Sequence, residues 1–356
     1  MRSILSVTSV AAALMAAATC AVQSASATAA ERKPSLSALS RYAGFKSTTF
    51  SRAKTADEIP PVWPTFSLVG ATTGEPVRVH LSMQAFPTAD TTTAQQWADF
   101  LDSLVHGTEL TTLDAYFLTP LEVQRVCGRG ALACYGDNQM FAPAEAPAFD
   151  LSAESVVAHE YGHHMAAHRI NTPWEAVDYG TKRWASYMNV CAKTRKDQWF
   201  PGAEDADKYF YNPGEGLAEA FRVLNEQRLG LPEAPWDIVS QDFVPDAKAL
   251  ALLAQDVTNP WTKNTTLPRS GFVSAKAKSR AYLVSTPLDG RMSVRLTSSA
   301  KAKFRLDVLS PNARSIGHAS GKNATASATI CGERALRVRV NRVSGAGAFR
   351  LAISRP

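Results

Sequence analysis

Ala158-His159-Glu160-Tyr161-Gly162-His163-His164 carries two histidines four residues apart, with a glutamate directly after the first. Positions four apart on an α-helix share a face one turn from each other, so both imidazoles can reach a single Zn²⁺. Glu160 then stands beside the ion, where its carboxylate can take a proton from a bound water. The chemistry this spacing supports is hydrolysis by a metal-activated water. With seven histidines in 356 residues, random placement gives H-E-x-x-H in roughly one chain in a hundred or fewer.

A catalytic zinc ion usually has three protein ligands and a water. A third histidine ten residues after the first, with a glycine between, would mark a metzincin, but those places hold Arg169 and Ala166. His168 falls one residue short, about 100° out of phase on the same helix. His164 and His168 share another face and read as surface or supporting histidines rather than a second metal site. A carboxylate from a second helix fits better. In Asn212-Pro213-Gly214-Glu215-Gly216-Leu217-Ala218-Glu219, Asn212 is placed as N-cap and Pro213 at the first helical position. Glu215 and Glu219 face the same way, so one can bind the ion while the other orients a histidine ligand. A capping-box role for Glu215 and a surface role for Glu219 explain one residue each and leave the pairing unexplained. Glu215 is preferred as the ligand.

Elements must hold these groups. Residues 152–169 read as the first helix, capped by Asp150 or Ser152, given an apolar side by Val156 and Val157, and ended by Asn171-Thr172-Pro173. Upstream, Val77–Met83 alternates as a half-buried strand, and Trp97, Phe100, Leu101 and Leu104 place a helix over 91–105. Residues 115–119, 121–126 and 138–142 are expected as strands. From about residue 271, short alternating segments at 280–285, 292–296, 304–309, 335–340 and 349–353 are separated by Gly, Pro, Asn and Ser turns. That spacing predicts a small antiparallel β-sandwich.

H-E-x-x-H followed some fifty residues later by a helical E-x-x-x-E resembles the gluzincin metallopeptidases. The string Glu215-Gly-Leu-Ala-Glu219-Ala-Phe is similar to the E-x-x-A-E-A-F version in anthrax lethal factor-like peptidases. The resemblance covers residues 152–169 and 212–224. It implies a zincin-like catalytic domain at 76–265, and with the all-β domain at 271–356 read from the strand spacing an α+β chain is expected. It also implies one Zn²⁺ on His159, His163 and Glu215, with Glu160 as general base and Glu219 supporting the site. Tyr209 and Tyr211 become oxyanion-donor candidates, and residues 138–142 the edge strand that pairs with an extended peptide. The activity so implied is zinc-dependent endopeptidase cleavage of peptide or protein substrates.

The first thirty residues read as a signal peptide, with Arg2, an apolar run from Ile4 to Ala18, and small-x-small sites at Ala25–Ala27 and Ala27–Ala29. The run is short for a membrane span, and no later stretch is long and apolar enough, so a secreted chain is expected. Cys20 lacks the upstream branched residue of a lipoprotein site. Residues 31–75 are expected as an extension or pro-segment. Four cysteines remain, and export favours disulfides: Cys127 with Cys134, and Cys191 with Cys331.

Charge is divided unevenly. Residues 271–356 hold sixteen Lys and Arg against three Asp and Glu, while the whole chain is only +6. A basic module on an acidic one suits an anionic cell-envelope polymer. Its sequence shows no interleaving of aromatic and basic residues, so no nucleic-acid partner is expected. Two competing readings are an envelope-binding protein on a zincin scaffold and a zinc amidase of cell-wall peptides.

Overall fold

Val77, Val79 and Leu81 alternate with more polar neighbours, whereas Ala115–Leu118 is an unbroken apolar run, the pattern of a strand covered on both faces. These segments are the centre of a five-stranded sheet in a computed structural model that describes residues 63–88, 90–147, 151–298 and 301–356. The expected leader with its cleavage sites and Cys20, residues 31–62 of the extension, and Asp150 lie outside the described residues.

The sheet comprises β1 (Thr65–Val69), β2 (Pro76–Leu81), β3 (Asp114–Leu118), β4 (Cys134–Gly136) and β5 (Gln139–Pro143), in the order β1-β2-β3-β5-β4. β2, β3 and β5 run parallel, and the two outer strands run antiparallel to their neighbours. Parallel neighbours need a crossover. Helix α1 (Thr91–Ser103), capped by the Asp90 side chain on the Thr93 N–H, supplies the first. Leu101 of α1, Phe117 of β3 and Met140 of β5 share a core with Val157, Tyr161 and Met165 of the helix that carries H-E-x-x-H. The opposite face packs Tyr116, Leu118 and Phe141 against Val123 and Val126.

Two sequence expectations change here. Residues 121–126 are not a strand but part of helix α2 (Pro120–Cys127). Thr119 and Glu122 form a reciprocal capping box and Pro120 occupies the first turn, so local capping overrides the apolar–polar alternation of Leu121-Glu122-Val123-Gln124. Leu121 is left exposed while Val123 and Val126 are buried, as a helical face requires. The 138–142 strand is not the sheet edge, because β4 pairs outside it through Cys134↔Phe141 to Gly136↔Gln139. The last residues of the expected extension also belong to the sheet, as β1.

Helix α3 (Ala153–Ala167) follows, capped by Ser152 on the Ser155 N–H. Next come a small hairpin, β6 (Ile170–Asn171) and β7 (Trp174–Glu175), and the short helices α4 (Ala176–Tyr179), α5 (Lys182–Tyr187), α6 (Val190–Thr194) and α7 (Ala206–Tyr209). Helix α8 (Pro213–Leu229) starts at Asn212, whose side chain accepts from the Gly214 N–H, and ends at Gly230 in the left-handed region. Helix α9 (Ala247–Thr258) closes this half of the molecule.

The remainder is the expected sandwich. Its eight strands are β8 (Thr265–Val273), β9 (Ser279–Ser285), β10 (Gly290–Thr297), β11 (Lys303–Leu309), β12 (Ser315–Gly321), β13 (Ala324–Ile330), β14 (Ala335–Ser344) and β15 (Gly347–Arg355). They form two four-stranded antiparallel sheets, β13-β10-β15-β8 and β12-β11-β14-β9, around a core that includes Val294, Phe304, Leu306, Val338 and Phe349. Both expected disulfides are present, Cys127–Cys134 and Cys191–Cys331. The second ties α6 to the turn after β13, where Arg334 also donates to the Ser186 carbonyl and Ser186 Oγ accepts from the Asp289 N–H. Two disulfides point to an oxidising compartment. Among the described residues, no helix is long and apolar enough to cross a membrane.

Candidate metal centre

Helix α3 has no solvent face to speak of: from Ala153 to Ala166 every residue except Glu154 is buried. Its polar side chains Ser155, His159, Glu160, His163 and His164 are therefore inside the protein, where each needs a partner or a task. Gly162 sets how close the second helix can come. A Cβ there would lie 2.9 Å from Ala218 Cα and 3.3 Å from Ala218 Cβ, so α3 and α8 cross in contact at this point. We expect Gly162→Ala to cost about 1–3 kcal/mol of stability through overpacking and to weaken metal binding by spreading the helices. Denaturant unfolding with and without added Zn²⁺ would show both.

That crossing brings three side chains together. His159 Nε2 lies 3.2 Å from His163 Nε2 and 3.3 Å from Glu215 Oε2, and His163 Nε2 lies 3.4 Å from the same oxygen. All three residues are buried and form the described cluster able to hold a metal ion. Ligands 2.0–2.1 Å from a tetrahedral zinc are separated by about 3.3–3.4 Å, from the tetrahedral angle and those bond lengths. The observed triangle therefore matches one face of such a tetrahedron, with two imidazole nitrogens and one carboxylate oxygen as donors.

The surroundings prepare those donors. His159 Nδ1 is 2.8 Å from Glu219 Oε1, so an N–H donated there leaves Nε2 with its lone pair toward the cluster. Glu219 is held in turn by Arg222, which also binds Glu226, and Glu226 accepts from Ser155 Oγ at 2.7 Å. The spacing Glu219-x-x-Arg222-x-x-x-Glu226 puts all three on one face of α8, a signal present in the sequence and not read from it. Burial pulls the Glu215 carboxyl up, but His163 and His159 outweigh it and hold the group well below its ordinary range. Burial is likewise outweighed at Glu219, where Arg222 and His159 bring the pKa down to about 2. At His159, burial lowers the pKa but the bonds to Glu215 and Glu219 raise it to about 10. Glu219 and Glu226 share the buried Arg222 guanidinium, and Glu215 faces the two imidazoles, so without an ion the proton held by His159 balances Glu215. A cation held by the three donors would take the place of that proton.

Glu160 is placed for a different task. It is 2% exposed, and its Oε2 has no hydrogen-bond partner among the described residues. Burial raises its pKa, opposed by His159 and His163. Tyr209 reaches the cluster, with its Oη 2.8 Å from Glu215 Oε2. Tyr211 lies beyond the end of α7, is 36% exposed, and packs edge-on against Phe210, so the structure brings only the first of the two tyrosines to the cluster. His164 corrects the reading of a surface residue. It is fully buried, with Nε2 2.9 Å from the Glu109 carbonyl and Nδ1 3.1 Å from Tyr135 Oη, and burial lowers its pKa to about 4. It ties α3 to the β4–β5 hairpin as a neutral imidazole. His168 is exposed and accepts no part in the cluster.

No protein-family model matches the chain, and no curated protein matches it. Among solved structures, the pre-peptidase C-terminal domain of a Bacillus anthracis collagenase is 12% identical, with a TM-score of 0.22 over 26% of this chain and 89% of that one. The Yersinia pseudotuberculosis-derived mitogen is 11% identical, with a TM-score of 0.20 over 26% of this chain and 87% of its own. PliG from Aeromonas hydrophila, a periplasmic inhibitor of g-type lysozyme, is 17% identical, with a TM-score of 0.21 over 26% of this chain and 85% of its own. Scores of 0.20 to 0.22 carry no argument about chemistry, which rests here on the two crossed helices alone.

Proposed function

We propose that the chain is an exported zinc-dependent endopeptidase of gluzincin type, with a zincin-like domain through residue 265 and a β-sandwich appended to it. The observation that carries this reading is the triangle of His159 Nε2, His163 Nε2 and Glu215 Oε2, 3.2–3.4 Å on a side, with the buried Glu160 Oε2, which has no hydrogen-bond partner among the described residues, on the same helix. His159, His163 and Glu215 would hold the ion, and a zinc ion bound there would supply Lewis-acid polarisation of the scissile carbonyl and a water of lowered pKa. Glu160 Oε2 takes the proton of the attacking water and delivers it to the leaving nitrogen. Glu219 keeps His159 in the tautomer that presents Nε2. Tyr209 donates to the Glu215 carboxylate, and its hydroxyl, released from Glu215 and turned toward the substrate, would be a donor for the oxyanion. An extended peptide would add to the sheet at β4, the strand outside β5, by main-chain hydrogen bonds.

Digestion of a peptide library by the purified protein tests the reading. Cleavage products are expected, their formation abolished by a chelator and restored by Zn²⁺. Cleavage that persists in chelator, with no metal detected in the protein, would sink it.

A further inference from the structure

The three carboxylates among residues 271–356 are all engaged away from one sheet. Asp289 is bound by Arg334 and the Gly332 N–H, Asp307 by Arg305 and Asn341, and Glu333 by the Cys331 N–H. Asp307 belongs to β11 in the β12-β11-β14-β9 sheet, and Asp289 and Glu333 lie in turns on the side of Cys331. The outer face of the β13-β10-β15-β8 sheet carries cations and hydroxyls beside the apolar Pro268, Phe272, Ala348 and Ala352, and none of these three carboxylates. Met292, Val294 and Leu296 of β10 point inward, so Arg291, Arg295 and Thr297 point out. On β15, Leu351 and Ile353 point inward, so Arg350 and Ala352 point out.

Arg295 pairs with Ala352 and Thr297 with Arg350 across β10 and β15, so the two arginines are diagonal neighbours on one face. Diagonal neighbours in an antiparallel pair are about 7–8 Å apart, within the Debye length of about 8 Å at physiological salt, and their fields add. Between them and β8 runs a shallow groove of about 480 Å³, lined by Arg269, Ser270, Arg295, Thr297, Arg350 and Ala352 among others. That volume is in the range of ligand sites, about 300–1,000 Å³. No described carboxylate forms an ion pair with Arg269, Arg295 or Arg350.

We infer that this groove binds an acidic polysaccharide, a chain of sugar rings carrying carboxylates. Guanidinium groups pair with carboxylates through two parallel hydrogen bonds, and the hydroxyls of Ser270 and Thr297 suit the ring hydroxyls between charges. A single-stranded nucleic acid is disfavoured because its bases bind by stacking on successive aromatic rings, and the groove lining holds none, the exposed Phe272 lying on the same face outside it. The groove holds no part of the metal centre, so this inference and the peptidase reading fail separately. By gripping an acidic glycan, the sandwich would keep the N-terminal half at a polymer surface.

The test measures binding of the full-length protein to polygalacturonate, with neutral dextran and a single-stranded DNA oligonucleotide as comparisons. The double variant Arg295→Ala/Arg350→Ala is set against Arg314→Ala/Arg337→Ala, which removes equal charge from exposed positions in or beside the other sheet. Polygalacturonate affinity is expected to fall at least about tenfold in the first pair and to change little in the second, with thermal unfolding unaltered in both. Equal losses in the two pairs would reduce the effect to net charge and overturn the site. So would unchanged binding in the first pair, equal binding of dextran, or tighter binding of the oligonucleotide.

Discussion

Glu160→Gln is expected to retain its metal and lose hydrolysis by at least about 10²- to 10⁴-fold, the usual contribution of a positioned general base. Gln has nearly the shape of Glu, so the packing of α3 is preserved, yet its amide cannot accept the proton that the attacking water must give up. The metal should stay because the three converging donor atoms belong to His159, His163 and Glu215, and none belongs to Glu160. Stability should move the other way or not at all. The Glu160 Oε2 atom is buried without a partner, and an unpartnered buried carboxylate costs more than an amide in the same place. Metal content, turnover of a cleaved peptide and the unfolding midpoint together check this. A variant that hydrolyses at the wild-type rate would remove Glu160 from the reaction, and one that also loses metal would make it part of the binding set.

The divergence of activity from stability is what marks a residue kept for chemistry. A glutamate retained for structure would show bonds like those of Glu109, whose carboxylate binds the Gly107 N–H and Arg169. Burial raises the Glu109 pKa, but Arg169 and the Gly107 N–H outweigh it and leave the group lowered. Glu160 is equally buried and has no such partners for Oε2. Glu109 lies in a turn that contacts α3 through Tyr161 and His164, Glu160 lies in α3 itself, and the two differ in what surrounds their carboxylates.

The cluster of His159, His163 and Glu215 is legible in the sequence because its rules are local. The i,i+4 spacing of His159 and His163 and the start of α8 at Asn212-Pro213 depend on nothing outside their own helices. The closeness of those helices depends on Gly162 meeting Ala218, a contact between residues 56 positions apart that no periodicity announces. The same division explains the errors in the fold. Residues 119–122 carry an explicit Thr-Pro-x-Glu capping signal, which prevails over the alternation that begins at Leu121. Strand β12 is rich in Ser, Gly and Ala with little apolar alternation, and β13 alternates Ala with Thr or Ser, whose contrast is weak because the apolar members are small. Their strand character comes from pairing with β11 and β10. His164 misled for a further reason: a polar residue on a helix suggests a wet face, and α3 has none.

The pair Glu215 and Glu219 separates ligand from support by the size of its effects. Glu215→Ala removes one of the three donor atoms, and the remaining imidazoles cannot by themselves complete a zinc site. Its loss should weaken Zn²⁺ binding by at least about 10³-fold, well beyond the 10- to 100-fold typical of an outer partner. Glu219→Gln leaves an amide oxygen where Oε1 now accepts from His159 Nδ1–H at 2.8 Å, so the tautomer survives while the negative charge is lost. Affinity should then fall only about 10- to 100-fold, and Arg222 keeps Glu226 as its remaining carboxylate. Competition with a metal indicator reads both variants on one scale. A larger loss in Glu219→Gln than in Glu215→Ala would exchange the two roles, and wild-type affinity in Glu215→Ala would take the carboxylate out of the cluster altogether. The expected order follows from position alone: the oxygen 3.3–3.4 Å from both Nε2 atoms is on Glu215, and the one behind the imidazole is on Glu219.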